Sequence, residues 1–280
     1  MKTFRQHLPT WLKRFLRIGA YWLGDTWNGL IGRHEPMVPP RMTSLVHGSG
    51  DFKKAGKEFL DYFVRYANLA PDHHVLEIGA GYGRMAVGLT DFLVPPGSYD
   101  GIEIIDKAVG WCTREISTRY PNFRFHHADI CNRYSNPNGK MSATDYRLPF
   151  ADGTFDLVFL AAVFTNMLPK DIDAYLAEIS RVLKPDGRCF ITYFLLDDFA
   201  LKQIGDRRAS QPFYHSFDGY LSTSHDTPEN TVAVPEGTVL EWYARHGLRI
   251  DEPILYGSWA GREHCLTYQD AIIARKPVTR

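Results

Sequence analysis

The chain has 280 residues, enough for one α/β domain with extensions and a large core. Hydrophobic residues make up 44% and charged residues 23%, an ordinary globular balance that excludes a disordered or fibrous protein. The formal net charge is zero, so the chain as a whole offers no field that would gather nucleic acid.

The first 33 residues differ from the rest. No acid precedes Asp25, whereas Lys2, Arg5, Lys13, Arg14 and Arg17 are all basic. Leu8, Leu12, Phe15, Ile18 and Trp22 recur at helical spacing, and the basic residues lie mostly off that stripe. The pattern predicts a basic amphipathic helical extension over residues 1–35. Three roles are open to it: docking on the domain, lying in a membrane interface through residues 1–33, or targeting. It has neither the long apolar run of a membrane-spanning helix nor the small-residue cleavage site of a signal peptide.

Pro36 and Pro40 separate this segment from a domain expected over residues 36–280. A helix is predicted at 51–69, with Asp51 as its N-cap and Phe52, Phe59, Tyr62, Phe63 and Tyr66 along one side. A strand at 73–79 then ends in Gly79-Ala80-Gly81-Tyr82-Gly83-Arg84. Glycines at such a turn permit φ > 0 and let a ligand lie against the backbone. In open α/β sheets, ligands bind at the carboxyl ends of strands like this one.

Strands and helices alternate from there, which predicts a doubly wound, mostly parallel sheet with helices on both faces. Strands are expected at 98–104, 123–128, 155–161, 188–195, about 249–256 and 265–274. Helices are expected at 83–93, 106–119, 169–183 and 236–246, and Pro185-Asp186-Gly187 reads as the turn into the fifth strand. Two connections are long, a polar and turn-rich one at 131–149 and one at 197–235 without an evident strand. Long insertions in compact domains are usually functional or disordered, and these two are the candidates for a substrate lid.

The cysteines Cys112, Cys131, Cys189 and Cys265 lack C-x-x-C spacing, so neither a zinc site nor a disulfide framework is expected. Their scatter fits a reducing cytosol. Cys189 and Cys265 fall in apolar runs and read as core thiols.

The glycine turn distinguishes two cofactor classes. A dinucleotide fingerprint is G-x-G-x-x-G, but Arg84 stands at its third glycine. Glu77, two places before Gly79, would repel a pyrophosphate and favour a cationic, phosphate-free ligand. The segment resembles motif I of the class I S-adenosylmethionine-dependent methyltransferases. Leu183-Lys184-Pro185-Asp186-Gly187 is similar to that family's turn into strand five, and the run Phe155–Leu160 with its exit to Met167 resembles motif IV. Together the motifs cover about residues 50–196.

The resemblance implies a seven-strand sheet whose last strand is antiparallel, in a hairpin with the sixth; the turn at Gly257–Arg262 suits that hairpin. It implies a cofactor site built from Glu77, Gly79, Ala80, Gly81 and Gly83, with Glu103 and Ile104 at the ribose. Asp129 and Ile130 would meet the adenine, with Asp145 as the alternative acid, and Ala161 would face the methyl group. The implied reaction is in-line methyl transfer to a small-molecule, lipid-like or glycan-like acceptor. Asn166 and Thr165 would border that acceptor, with Tyr193 near the same pocket, and His215 or His225 would serve as proton acceptor for a hydroxyl. Of His126 and His127, alternating on a strand, at least one should face the sheet packing. A non-catalytic scaffold and an NAD-dependent oxidoreductase are the competing readings.

Overall fold

The computed structural model describes residues 35–40, 51–133 and 135–278; the expected N-terminal helix and its membrane-facing reading lie outside them. From Asp51 onward helix and strand alternate. Helix α1 (Phe52–Ala67) leads to β1 (His74–Ile78), α2 (Arg84–Leu89), β2 (Ser98–Glu103), α3 (Asp106–Cys112) and β3 (Phe123–His127). Next come β4 (Phe155–Leu160), α4 (Pro169–Val182) and β5 (Leu183–Tyr193). A second group follows: β6 (Leu195–Leu196), α5 (Asp198–Gly205), β7 (His215–Phe217), β8 (Tyr220–Ser222) and β9 (Val232–Pro235). The chain closes with α6 (Glu236–Arg245), β10 (Arg249–Ile250) and β11 (Asp270–Arg275).

The main sheet has seven strands in the order β10-β11-β5-β4-β1-β2-β3. β1 to β5 pair in parallel, and β11 is antiparallel to both β5 and β10. This is the expected architecture. The central strands are covered on both sides and therefore read as continuous apolar runs. Along β4, Val158 and Leu160 face a core with Ile172 and Leu176 of α4 and Val239 and Tyr243 of α6. Leu157 and Phe159 face the opposite core, with Phe63 of α1, Leu89 of α2 and Cys112 of α3. Phe63 anchors α1 there, its ring 4.4 Å from Phe159 and 5.3 Å from Phe190.

Helix α1 starts as expected, with the Asp51 side chain accepting the Lys54 amide at 3.0 Å. It crosses α2 at two glycines. A Cβ on Gly56 would lie 2.5 Å from the Arg84 carbonyl, and one on Gly88 would strike the backbone of Gly56.

The structure corrects several expectations. The late insertion at 197–235 is structured: it carries α5 and three strands that join β6, just before it, in a second sheet ordered β6-β9-β8-β7. Its strands are two to four residues long, too short for alternation to register. It has its own small core of Phe194, Leu196, Ala200, Phe213, Ala233, Trp259 and Ala260. The sixth strand is only Arg249–Ile250, because Pro253 interrupts it. The seventh begins at Asp270, so Cys265 sits part-exposed in the preceding loop rather than in a core. In place of a tight hairpin turn, Gly257–Arg262 holds a helical turn, Ser258–Ala260, with Trp259 buried. Helix α2 stops at Leu89, and the α3 segment passes at Thr113 into a π turn ending at Ser117. Asp186, in the expected turn, adopts φ 62° within β5. No described helix is long and apolar enough to cross a membrane.

Candidate functional site

The glycine turn sits at the carboxyl end of β1, between β2 and β4. Gly79, Gly81 and Gly83 all have positive φ, at 82°, 54° and 73°. A Cβ on Gly79 would strike Val163, and one on Gly83 would lie 2.6 Å from Ile116. The turn is therefore clamped between the loop after β4 and the segment after α3.

Four of its amides are bonded within the protein. Gly79 and Ala80 both donate to the Ile102 carbonyl, at 2.8 and 3.0 Å, and Gly83 donates to the Ala80 carbonyl at 2.8 Å. Gly81 donates to Glu103 Oε2 at 2.6 Å. The same carboxylate accepts the Ile105 amide at 2.9 Å through Oε1, so Glu103 ties the tip of β2 to the turn. Glu103 is buried, and that burial raises its pKa against the pull of the Ile105, Gly81 and Ile104 amides. Ala80 is buried and Ile104 half-buried beside it.

Glu77 is more deeply sequestered than its expected role implies. It lies under the turn, and its Oε2 accepts the Tyr99 hydroxyl at 2.5 Å. Burial pushes its carboxyl well above the usual range; the Tyr99 hydrogen bond and Arg84 oppose this, while Glu103 adds to it. Arg84 follows the turn half-buried, with its guanidinium 5.9 Å from the Phe52 ring of α1. Burial lowers the Arg84 pKa and the neighbouring Glu77 opposes that. From the sequence Arg84 reads only as a missing glycine.

Asp129 and Ile130 leave β3 one strand further along. Ile130 is buried, while Asp129 is part-exposed with Lys140 at 3.7 Å. The Asp129 carbonyl accepts the Lys140 and Met141 amides, both at 3.0 Å, which folds the 131–149 insertion back on this point. The alternative acid, Asp145, is engaged with the Ser142 hydroxyl at 2.7 Å in a local turn. The nearby Leu148-Pro149-Phe150 run is held on α4, where Arg181 donates to the Leu148 and Phe150 carbonyls. His126 faces the packing, 2.7 Å from Asp100, and His127 is exposed.

The loop after β4 carries the other predicted residues. Ala161 is half-buried, and Ala162 is exposed at φ 60°, with its amide on the Thr192 hydroxyl at 2.8 Å. A non-glycine residue in this region stores strain, and such strain clusters at functional sites. Phe164–Asn166 then makes a single helical turn with Thr165 buried. Asn166 is exposed, and its amide nitrogen donates to the Ala162 carbonyl and the Thr165 hydroxyl. It can therefore offer a ligand only its oxygen. Pro228–Asn230, from the late insertion, packs against this turn, as does β9.

His215 lies on β7 and His225 in the loop after β8, with ring centroids 6.0 Å apart. His225 is exposed and 3.4 Å from Asp226. No hydrogen bond among the described residues joins either imidazole to Asn166. Tyr193 does not border the cleft: it is buried, with its hydroxyl 2.9 Å from that of Tyr243 on α6.

One buried carboxylate escaped the sequence reading. Asp270, at the start of β11, accepts the amides of Leu195 and Gly257 and the Trp259 indole, each at 2.7 Å. It pins the small sheet to the main one. Nothing local in Tyr268-Gln269-Asp270 marks it, since its partners lie on distant segments.

Residues 76–191 match a family model described as a methyltransferase domain. The chain is 30% identical over 167 residues to a sterol 4-C-methyltransferase of Caenorhabditis elegans, covering 59% of this chain and 42% of that protein. It is 32% identical over 155 residues to a demethylmenaquinone methyltransferase of Beutenbergia cavernae, covering 55% of this chain and 49% of that one. The matched stretch thus spans less than half the length of these two relatives. A solved SAM-dependent methyltransferase from Methanosarcina mazei shares the fold, with a TM-score of 0.51 and 21% identity over 75% of this chain and 95% of that chain.

Proposed function

Starting from a chain that carries a methyltransferase domain of the class I, Rossmann-like fold, we propose that the protein is an S-adenosylmethionine-dependent methyltransferase acting on a small, lipid-like acceptor. The observation that carries this reading is the turn at Gly79–Gly83, closed by the Glu103 carboxylate, with the amides of Gly79, Ala80, Gly81 and Gly83 bonded within the protein. A pyrophosphate would need outward amide donors and would meet two buried carboxylates, Glu77 and Glu103. A phosphate-free sulfonium ligand needs no such donors and gains from the carboxylates. The NAD reading is accordingly the weaker one.

When bound, S-adenosylmethionine supplies a methyl group already activated by its sulfonium. In this reading Glu103 accepts from the ribose hydroxyls while still holding Gly81. Asp129 and Ile130 take the adenine, one by hydrogen bonding and one by packing. Gly79 and Ala161 let the reacting end lie close to the backbone. The chain's task is then to align the acceptor and exclude water, and orientation alone can lower a barrier by several kcal/mol, up to about 7–11 in the best cases. Asn166 would meet the acceptor through its amide oxygen. For a hydroxyl acceptor, His215 or His225 would take the proton from the small sheet.

The named acceptors of the two relatives, a sterol and demethylmenaquinone, are apolar ring compounds and support the lipid-like class. The test is calorimetric titration with S-adenosylhomocysteine and, in parallel, NAD, followed by transfer of labelled methyl from S-adenosylmethionine into sterol and naphthohydroquinone acceptors. Binding of S-adenosylhomocysteine with labelling of either acceptor supports the proposal. Binding without transfer to any lipid fraction favours a scaffold, and binding of NAD instead overturns it.

A further inference from the structure

Resting on that methyltransferase reading, we infer that Glu229 is a specificity-determining residue for the acceptor: its carboxylate receives a hydroxyl of the incoming ring compound. Glu229 lies in the helical turn Pro228–Asn230 of the late insertion, between β8 and β9. That turn packs against β8 and against Phe164–Asn166, the turn after β4 proposed to border the acceptor. From a third side Arg133, in the 131–149 insertion, brings its Nε to 3.6 Å from Glu229 Oε1. The two long connections thus meet at this one side chain. Tyr220 of β8 is within electrostatic range as well: burial raises the pKa of its hydroxyl, and the Glu229 charge adds to the rise.

The other oxygen, Glu229 Oε2, is buried and accepts no hydrogen bond from any described residue. Arg133 does not make up for this. It faces Oε1, is exposed, and stands beyond hydrogen-bond reach. A carboxylate oxygen taken out of water needs a donor, and one left without it is costly. Such an oxygen is completed from outside the chain, by a ligand or by water. Asn166, on the turn packed against Glu229's own, has the same polarity. Its nitrogen is engaged with the Ala162 carbonyl and the Thr165 hydroxyl, so only its oxygen is left for a ligand. Two packed turns therefore offer acceptor oxygens, and the ligand that suits them brings O–H donors. An ether or carbonyl oxygen would meet like polarity. The lipid-like class narrows to hydroxyl-bearing ring compounds. The role of Glu229 is also distinct from that of His215 or His225, which would move the proton rather than select the group that carries it.

Calorimetry on the full chain, under argon and with S-adenosylhomocysteine present, compares naphthohydroquinone with its dimethyl ether. The two share the ring system, but the ether has no donor. The wild type is expected to bind the hydroquinone roughly tenfold more tightly or better. Glu229→Gln keeps the shape and removes the charge, and should shrink that preference. Glu229→Leu should bring the two ligands to within about twofold of each other. Separate titrations of S-adenosylhomocysteine should agree within about twofold for wild type and both variants, since its site is a different one. A preference that survives both substitutions would mean that water completes the oxygen, and would overturn the inference. Parallel loss of both ring compounds and of S-adenosylhomocysteine would also overturn it, because Glu229 would then only support the fold. If the wild type binds S-adenosylhomocysteine but neither ring compound, the lipid-like acceptor class fails and the inference with it. If it does not bind S-adenosylhomocysteine, the methyltransferase reading itself fails.

Discussion

The Glu103 carboxylate and the Gly81 amide, at the carboxyl ends of the neighbouring strands β2 and β1, meet at 2.6 Å. One side chain thus sets the shape of the turn, and in the proposed site the same carboxylate would read the ribose. Its second oxygen holds Ile105, so replacement removes two charge-assisted contacts at once. Glu103→Ala should lower stability by about 2 kcal/mol or more and should abolish micromolar binding of S-adenosylhomocysteine. Urea unfolding and calorimetry on the same preparation check the two effects, and retained affinity would remove Glu103 from the site.

Glycine substitution should have opposite signs on two helices. Gly88 meets the backbone of Gly56, so an added methyl cannot be relieved by a side-chain rotation. Gly88→Ala should cost about 1–3 kcal/mol by overpacking and should loosen α1. Gly237, near the start of α6, has open space around it and no positive φ. Gly237→Ala should stabilise by up to about 1 kcal/mol through helix propensity. Thermal melts of the two variants should move in opposite directions.

Asp270 predicts a pH dependence. Burial pushes its pKa from 3.8 up to about 6, against the pull of its three donors and of Arg262. The folded chain holds the proton more tightly than the unfolded chain. The stabilising contribution is therefore fully present below about 3.8 and is lost as the pH rises through about 6. Its size is about 3 kcal/mol. Asp270→Asn cannot titrate, so its urea stability between pH 4 and pH 7 should change less than the wild type's by about that amount. Parallel profiles would refute the assignment. The variant should also be weaker at pH 7, since an amide NH2 must face an N–H donor that a carboxylate oxygen now accepts.

Arg262 should not tolerate lysine. Its guanidinium lies between the rings of Phe199 and Tyr256, at 4.4 and 4.3 Å, and it pairs with Asp197 at the N-cap of α5. Tyr256 in turn donates to Glu236 at 2.8 Å, at the start of α6. A lysine keeps the charge but loses the planar stacking on both faces. Arg262→Lys should destabilise by about 1–2 kcal/mol, visible as a lower melting temperature, and Arg262→Ala by more.

What was legible in the sequence followed from runs long enough to show a period. The buried strands β1, β4 and β5 and the amphipathic helices α1 and α4 announce themselves, and the alternating glycines mark the turn. The second sheet was illegible because its strands are too short and their partners come from afar: β6 pairs with β9 across some forty residues. The positions of Glu103 and the glycines followed from a resemblance built on local spacing. The burial of Glu77 did not, because it depends on Tyr99, a residue of the neighbouring strand. Asp270 was hidden for the same reason, and Tyr193 was misjudged because the direction of a side chain at a strand end is settled by the helix packed on it.

Mechanically, the small sheet is a cantilever. At its root only Phe194 separates β5 from β6, and the hydrogen bonds from Leu195 to Asp270 and from Val234 to Phe194 bind it to the main sheet. At its far end β7 is an edge strand, and the tip at Asp218 and Gly219 is exposed. A load on the tip would act first on β7, the strand that carries His215 and lies farthest from the root at Asp270.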